Sequence, residues 1–190
     1  MPTFSFSLMG NLLFKGTLKC QQCDGTTKTG KQCSRKTCMY LPLCYQHMRT
    51  ELGIYVAPSG IAGAGLGLYA AKDFKKGAKI TVLDGEPIDD AEAQRRYGDA
   101  TRPYMLEEKP GKMVDGALER HVGQYANSKF SAATKRSVQK GTNSDFLLYK
   151  PPGKPRKVYI TATKKIKKDT EILAWYGREY ILDDGKAVTR

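Results

Sequence analysis

The sequence predicts a mainly β fold of several small sheets, preceded by a small cysteine-rich module. Short apolar runs with period-two alternation recur between glycine-rich turns, and a single short segment has helical character. All five cysteines fall between Cys20 and Cys44, with none after.

The strand signal is clearest near the C-terminal end. Val158, Ile160 and Ala162 alternate with Tyr159, Thr161 and Thr163, the pattern of a half-buried strand. Lys167, Lys168 and Asp169 form a polar turn, and a second short strand is expected from Glu171 to Trp175, before Tyr176-Gly177. A tyrosine ending a strand beside a glycine is presented at an edge, where its hydroxyl can face a cavity. The alternative is a core aromatic whose hydroxyl reaches a backbone carbonyl.

Composition narrows the function classes. The 190 residues are 40% hydrophobic, enough for a real core, and can make one domain with an appendage or two small ones. No apolar run reaches membrane-span length, so no membrane partner is expected. Met1 to Phe14 is fairly apolar but lacks a basic start and a small-residue cleavage site, so it does not read as a signal peptide. The net charge of +13 divides into about +6 over 1–50, −2 over 51–120 and +9 over 121–190. Basic ends around an acidic middle suit contact with DNA or another polyanion, plus a centre tolerant of cationic ligands. A solvated basic surface with no partner is the plainer reading.

Taken in order, Cys20 to His47 holds two ligand pairs of knuckle spacing, Cys20-x2-Cys23 and Cys44-x2-His47, with Cys33 and Cys38 between. Zinc takes four thiolate or imidazole ligands, and such spacings let them converge without strain. Clustering favours a metal over a disulfide framework, in a reducing intracellular compartment. Cys23, Cys33, Cys44 and His47 form the first-choice set, with Cys20 and Cys38 as substitutes. A closed four-ligand site is structural rather than catalytic, and supplies folding energy to a segment too small for its own core.

Ile54 to Val56 reads as a short strand, Pro58 to Gly65 as a glycine-rich loop and Leu66 to Ala71 as another strand. Glycines let loop amides approach a ligand closely. Two nucleotide-binding motifs are excluded: Leu-Tyr stands where a phosphate-binding loop needs Lys-Ser/Thr, and the glycines open a strand where a dinucleotide fingerprint opens a helix. Lys79 to Gly85 is a further β-rich run. Asp89 or Asp90 can cap a short helix through Arg96. The acidic group Asp84, Glu86, Asp89, Asp90 and Glu92 could draw a basic peptide, or be a solvated face. Tyr104 to Leu106 and Met113 to Asp115 are strand candidates around a Lys109-Pro110-Gly111 turn. With only two histidines, His47 and His121, a histidine-based hydrolase is poorly supported.

In that order, GAGLGLYA, KKGAKITVLDGE, VDG, GQYANS, TNSDF and VYITATKKIKKDTEILAWYG resemble the SET-domain protein lysine methyltransferases, from Gly53 to about Ile181. The ending AWYGREY is most similar to the PR-type subgroup and viral SET proteins. The resemblance implies a β-clip of small sheets with a pseudoknot, S-adenosylmethionine on one face and a lysine channel from the other. It divides the chain into an N-terminal segment 1–19, a zinc-binding module 20–50, a SET methyltransferase domain 51–182 and a tail 183–190.

The resemblance also assigns roles. Ala64, Gly65, Leu66 and Gly67 match the loop at the methionine part of the cofactor, and Tyr104 faces the same pocket. Tyr125-Ala126-Asn127-Ser128 matches the Phe/Tyr-Ile-Asn-His motif, with Asn127 on the amino-acid end of the cofactor and Ser128 in place of histidine. Gln124 replaces a common arginine. Asn143 stands where a Pro-Asn pair usually follows, after a longer insertion from Lys129 to Thr142. Tyr176 matches the catalytic tyrosine, Tyr125 is a second wall and Trp175 a shaping residue. The implied substrate is a protein lysine, by default on a histone tail, in the nucleus on chromatin or in a virus-infected cell. A homodimer is open to the chain, since viral members without a C-terminal cysteine lid can complete their sites that way. The competing function is an inactive, zinc-containing chromatin or nucleic-acid-binding module with a SET fold.

Overall fold

The computed structural model describes residues 20–98, 105–131, 134, 136–150, 152 and 157–177. In chain order the strands are β1 (Gln21–Gln22), β2 (Lys36–Thr37), β3 (Ile54–Pro58), β4 (Leu66–Ala70), β5 (Lys79–Leu83), β6 (Glu86–Asp89), β7 (Met105–Lys109), β8 (Lys112–Asp115), β9 (Lys129–Phe130), β10 (Ser137–Val138), β11 (Ser144–Tyr149) and β12 (Lys157–Ala162). A helical turn α1 (Tyr45–His47) and a helix α2 (Asp90–Tyr97) interrupt them. The strands make five small sheets: β1-β2, β3-β4, β6-β8-β7, β9-β10 and β11-β12-β5. The expected mainly β architecture of small sheets is what the chain adopts. No helix among the described residues is long and apolar enough to cross a membrane.

Local chemistry accounts for the elements. Along β12 the burial alternates with period two, with Val158, Ile160 and Ala162 inward. Asp89 caps α2, its carboxylate accepting from Glu92 N at 2.9 Å, a contact worth about 1 kcal/mol. β3 and β4 pair antiparallel from Ile54 opposite Ala70 to Pro58 opposite Leu66. The loop between them closes where Ser59 N donates to Gly65 O at 2.8 Å.

Two expectations are corrected. Glu171 to Trp175 forms no regular strand, because its backbone bonds go to three separate segments. Ile172 N donates to Leu68 O, Ala174 N to Asn127 O, and Leu173 O accepts from Asn143 N and Ser144 N. The last described segment is thus threaded among earlier ones rather than laid along one neighbour. Nor is the acidic group a free patch for a basic peptide. Arg96, buried on α2, is held by Glu86, Glu92 and the fully buried Asp115 at 2.6–2.9 Å. Hydrogen bonds from Arg95 and Arg96 hold the Glu92 carboxyl down to about 2. Asp84 meets Lys157 at 3.2 Å, and Asp89 is the helix cap.

One contiguous core joins Cys23, Cys33, Cys44 and Met48 to Ile54, Leu68, Ile160, Ile166 and Ile172. The cysteine-rich segment and the strands that follow it therefore share buried surface.

Candidate active site and metal centre

The cysteine module builds a compact donor set. Cys23, Cys33, Cys44 and His47 present ligand atoms that all lie within 4.8 Å of one another, the three cysteines buried. His47 Nδ1 is 3.2 Å from Cys23 Sγ and 3.3 Å from Cys44 Sγ, and Cys33 Sγ is 3.9 Å from Cys44 Sγ. Three sulfurs and one imidazole nitrogen at these separations suit a tetrahedral ion with metal–ligand bonds of about 2.0–2.3 Å. The other imidazole nitrogen, Nε2, lies 3.1 Å from Thr26 O, which fixes the ring so that Nδ1 faces the sulfurs. Backbone amides of Gly25 and Cys44 donate to Cys23 Sγ. A Cβ at Gly25 would run into the His47 ring, so that position has to be glycine. Burial pushes the Cys23 thiol up. Burial acts the same way on Cys44, but hydrogen bonds from the His47 and Gln46 backbone and the neighbouring thiols bring that thiol down overall.

Cys20 and Cys38 do not belong to this group. They are joined in a disulfide, correcting both their reading as substitute ligands and the reading of the cluster as free of disulfides. Pairing of β1 with β2 sets Gln21 opposite Thr37, which brings the two flanking cysteines together on an exposed edge. Spacing along the chain does not reveal that register.

The second cluster is drawn from across the chain. Asn127 Nδ2 donates to Leu66 O at 2.9 Å, tying the Asn127 segment to the Gly65-Leu66-Gly67 turn. Tyr176 is half-buried, and its hydroxyl donates to Ala126 O at 2.8 Å. That is the carbonyl contact weighed above as the alternative, yet the carbonyl belongs to the residue before Asn127. The three segments singled out from the sequence therefore meet. Tyr125, one residue earlier, packs its ring 5.9 Å from the Arg120 guanidinium carbon. Trp175 is half-buried and its Nε1 has no hydrogen-bond partner. Ser128 is buried with its hydroxyl 2.7 Å from Ser137 Oγ, which also accepts from Tyr176 N at 3.2 Å. Ala64 is half-buried and Leu66 exposed at the loop tip. Tyr104 lies outside the described residues.

Three contributors escaped the sequence reading. Phe130 stands edge-on to Tyr176 at 6.2 Å between ring centres, and Phe146 stacks on it at 6.0 Å, so the phenol sits between two apolar rings. Glu171 accepts from Ser59 Oγ at 2.6 Å and Gly60 N at 3.0 Å. A Cβ on Gly67 would collide with the Glu171 carboxylate, so the strand approaches closely there because it lacks one. Asn143 locks the segment before Tyr176: its Nδ2 donates to Glu171 O at 2.7 Å and its Oδ1 accepts from Leu173 N at 2.9 Å. Gln124 donates to Asp84 O at 2.6 Å and leaves its Oε1 buried and unpartnered.

A glycine turn, an asparagine and a tyrosine joined in this way come from the stretch that matches the SET domain family model, residues 65–177. The chain belongs to the SET domain family. Solved structures agree on the fold. The Chaetomium thermophilum polycomb repressive complex 2 is similar at 23% identity and TM-score 0.55, over 67% of this chain and 15% of that chain. The complex ctPRC2 in an autoinhibited conformation bound to S-adenosylmethionine is similar at 24% identity and TM-score 0.54, over 66% and 15%. Apo ctPRC2 with two substitutions in Ezh2 gives 25% identity and TM-score 0.53, over 65% and 15%. The SET chain thus spans about 15% of the length of these matched chains. No curated protein matches it.

Proposed function

We propose that this SET-domain chain is an S-adenosylmethionine-dependent protein lysine N-methyltransferase acting on histone or other basic protein lysines, with a structural zinc in residues 20–50 and the transferase domain in 51–182. The observation that carries the reading is the junction of Tyr176, Asn127 and the Gly65-Leu66-Gly67 turn through hydrogen bonds of 2.8 and 2.9 Å.

The residues present suit the cofactor. The loop from Ser59 to Leu66 offers backbone groups of exposed or half-buried residues, Asn127 stands beside it, and the Glu171 carboxylate complements an ammonium. Ala64, Gly65, Leu66, Gly67, Asn127, Ser128, Trp175 and Tyr104 are the residues assigned to hold it. When bound, S-adenosylmethionine supplies an electrophilic methyl group. The protein has to deliver a neutral amine, against an ordinary lysine pKa of about 10.4. Phe130 and Phe146 beside Tyr176 wall the site with apolar rings, which disfavour the ammonium by desolvation. The Tyr176 hydrogen is engaged by Ala126 O, so the phenol oxygen is left to accept from the amine. Alignment of the amine by that oxygen then does most of the work.

Cys23, Cys33, Cys44 and His47 are assigned to zinc, which closes the module without an open coordination position. The Trp175-Tyr176 pair supports placement among PR-type and viral SET proteins, and a nuclear, chromatin-facing or virus-infected setting. A second reading, attachment to DNA, draws on a cleft of about 730 Å³ beside the zinc ligands, whose charged lining is Lys28, Arg35 and Arg49 against one acid, Glu51. Whether a second copy completes the site is answered by sedimentation with cofactor present.

The test is incubation of the protein with histones and labelled cofactor, read by mass spectrometry. Methylated lysine is expected, and Tyr176→Phe should lower the rate at least ten-fold or change the number of methyl groups added. Absence of cofactor binding by calorimetry would leave the inactive DNA-binding module.

A further inference from the structure

We infer that Glu171 is a positioning residue of this site: its carboxylate clamps the glycine loop and the Asn127 side chain into one arrangement. The inference takes the identity of the ligand from the methyltransferase reading, but the clamp itself is a property of the free protein.

Both carboxylate oxygens are engaged, and Ser59, Gly60 and Asn127 donate to them. Oε1 accepts from Ser59 Oγ at 2.6 Å and, more weakly, from Asn127 Nδ2 at 3.4 Å. Oε2 accepts from Gly60 N at 3.0 Å and faces Tyr69 Oη at 3.5 Å. A backbone amide and a side-chain amide nitrogen cannot accept in return. Glutamine could still serve Gly60 N with its carbonyl and Ser59 Oγ, a hydroxyl that also accepts, with its NH2, losing only the weak Asn127 contact, whereas alanine removes every contact. Tyr69 gives its one hydroxyl hydrogen to Pro58 O at 2.8 Å, and burial and the Glu171 charge hold that phenol above its usual value.

No lysine or arginine among the described residues neutralises Glu171. An anion held by neutral donors at the loop mouth complements a ligand that carries a sulfonium and an ammonium. Gly67 fits the same design, since any side chain there would displace the carboxylate.

The backbone of residue 171 is secured separately from its side chain. Its carbonyl accepts from Asn143 Nδ2 at 2.7 Å, the next amide donates to Leu68 O at 2.7 Å, and it bridges Tyr69. Changing the side chain should therefore release the loop and leave the threading intact.

The experiment compares wild type with Glu171→Ala, which removes both carboxylate oxygens, in two measurements. Hydrogen exchange without cofactor should show amides 59–66 exchanging at least ten-fold faster in the variant, with amides 158–162 unchanged. Titration should show the S-adenosylmethionine Kd raised about ten-fold, with the cofactor KM rising in parallel and kcat at saturation changed less than three-fold. Wild-type exchange rates across 59–66 overturn the clamp, as does an unchanged Kd in a variant of a cofactor-binding wild type. If wild type binds no cofactor, the methyltransferase reading falls, and the exchange data alone decide the clamp. Should Glu171→Ala not fold, Ser59→Ala removes the shortest contact and is expected to speed loop exchange about three-fold; no change overturns the inference.

Discussion

The Cys3His cluster and the tyrosine site are built on opposite plans. All four donors of the cluster come from the stretch between Cys23 and His47, and turns within it aim them, down to backbone amides bonded to Cys23 Sγ. The tyrosine site is assembled from contacts whose partners are 50, 61 and 112 residues apart. A short segment that lacks a core of its own can be organised by a few strong bonds to an ion. A cavity lined by a loop, a threaded segment and a hairpin has to wait until the whole β domain has packed.

That contrast breaks most visibly at the metal. Chelation, or Cys33→Ser, is expected to unfold residues 20–50, since zinc in small modules contributes about 10–16 kcal/mol of apparent binding energy. Because Met48 and Ile54 share one core with the cysteines, the melting temperature of the β domain should fall too. Metal analysis and calorimetry check both; a β domain that melts unchanged would mean the shared core contributes little.

Asn143→Ala strikes the other plan. It strands the buried Leu173 amide and the Glu171 carbonyl, at about 2–4 kcal/mol for two unsatisfied groups. Denaturant unfolding should report that loss with the zinc content unaltered.

Cys20→Ser with Cys38→Ser sharpens the division within the module. Metal stoichiometry should stay as in wild type, and stability should drop by no more than about 3 kcal/mol. Loss of the metal would instead return those cysteines to the ligand set.

The smallest effect is expected where the two regions touch. His121 is buried with its ring 4.7 Å from that of Tyr40 and its Nε2 unpartnered. Burial holds the imidazole below its usual value; Asp84 and Glu119 pull it up, and Lys157 acts with burial. The unfolded chain therefore takes the proton first. The His121 contribution to stability is complete above about pH 6.5 and declines as the pH falls through that value toward the lower folded-state pKa. An NMR titration placing the His121 pKa at or above 6.5 would contradict this.

Much of this was readable along the chain, for reasons that differ by region. Ligand spacing narrowed the donors to six residues with Cys23, Cys33, Cys44 and His47 as first choice, because a tetrahedral ion imposes short separations, and the fold brings those four together. Alternation announced β12, and the Asp89 cap announced α2, because both are rules between near neighbours. The insertion from Lys129 to Thr142 read only as a departure from the family pattern. In the fold its described residues form the β9-β10 hairpin that brings Phe130 and Ser137 to Tyr176. The segment from Glu171 to Trp175 looked like a strand by composition, but its hydrogen bonds go to three partners in turn.

By itself the sequence determined the β character of the chain, the six candidate ligands between Cys20 and His47 and the short motifs that mark its family. These follow from interactions spanning a few residues, where spacing and residue type are sufficient. Only the tertiary structure decided that Cys20 pairs with Cys38, that the acidic group is held by Arg96, Lys157 and a helix cap, and that Glu171 and Phe146 stand at the tyrosine site. Each depends on which distant backbone passes nearby, and that is set by the packing of the whole core.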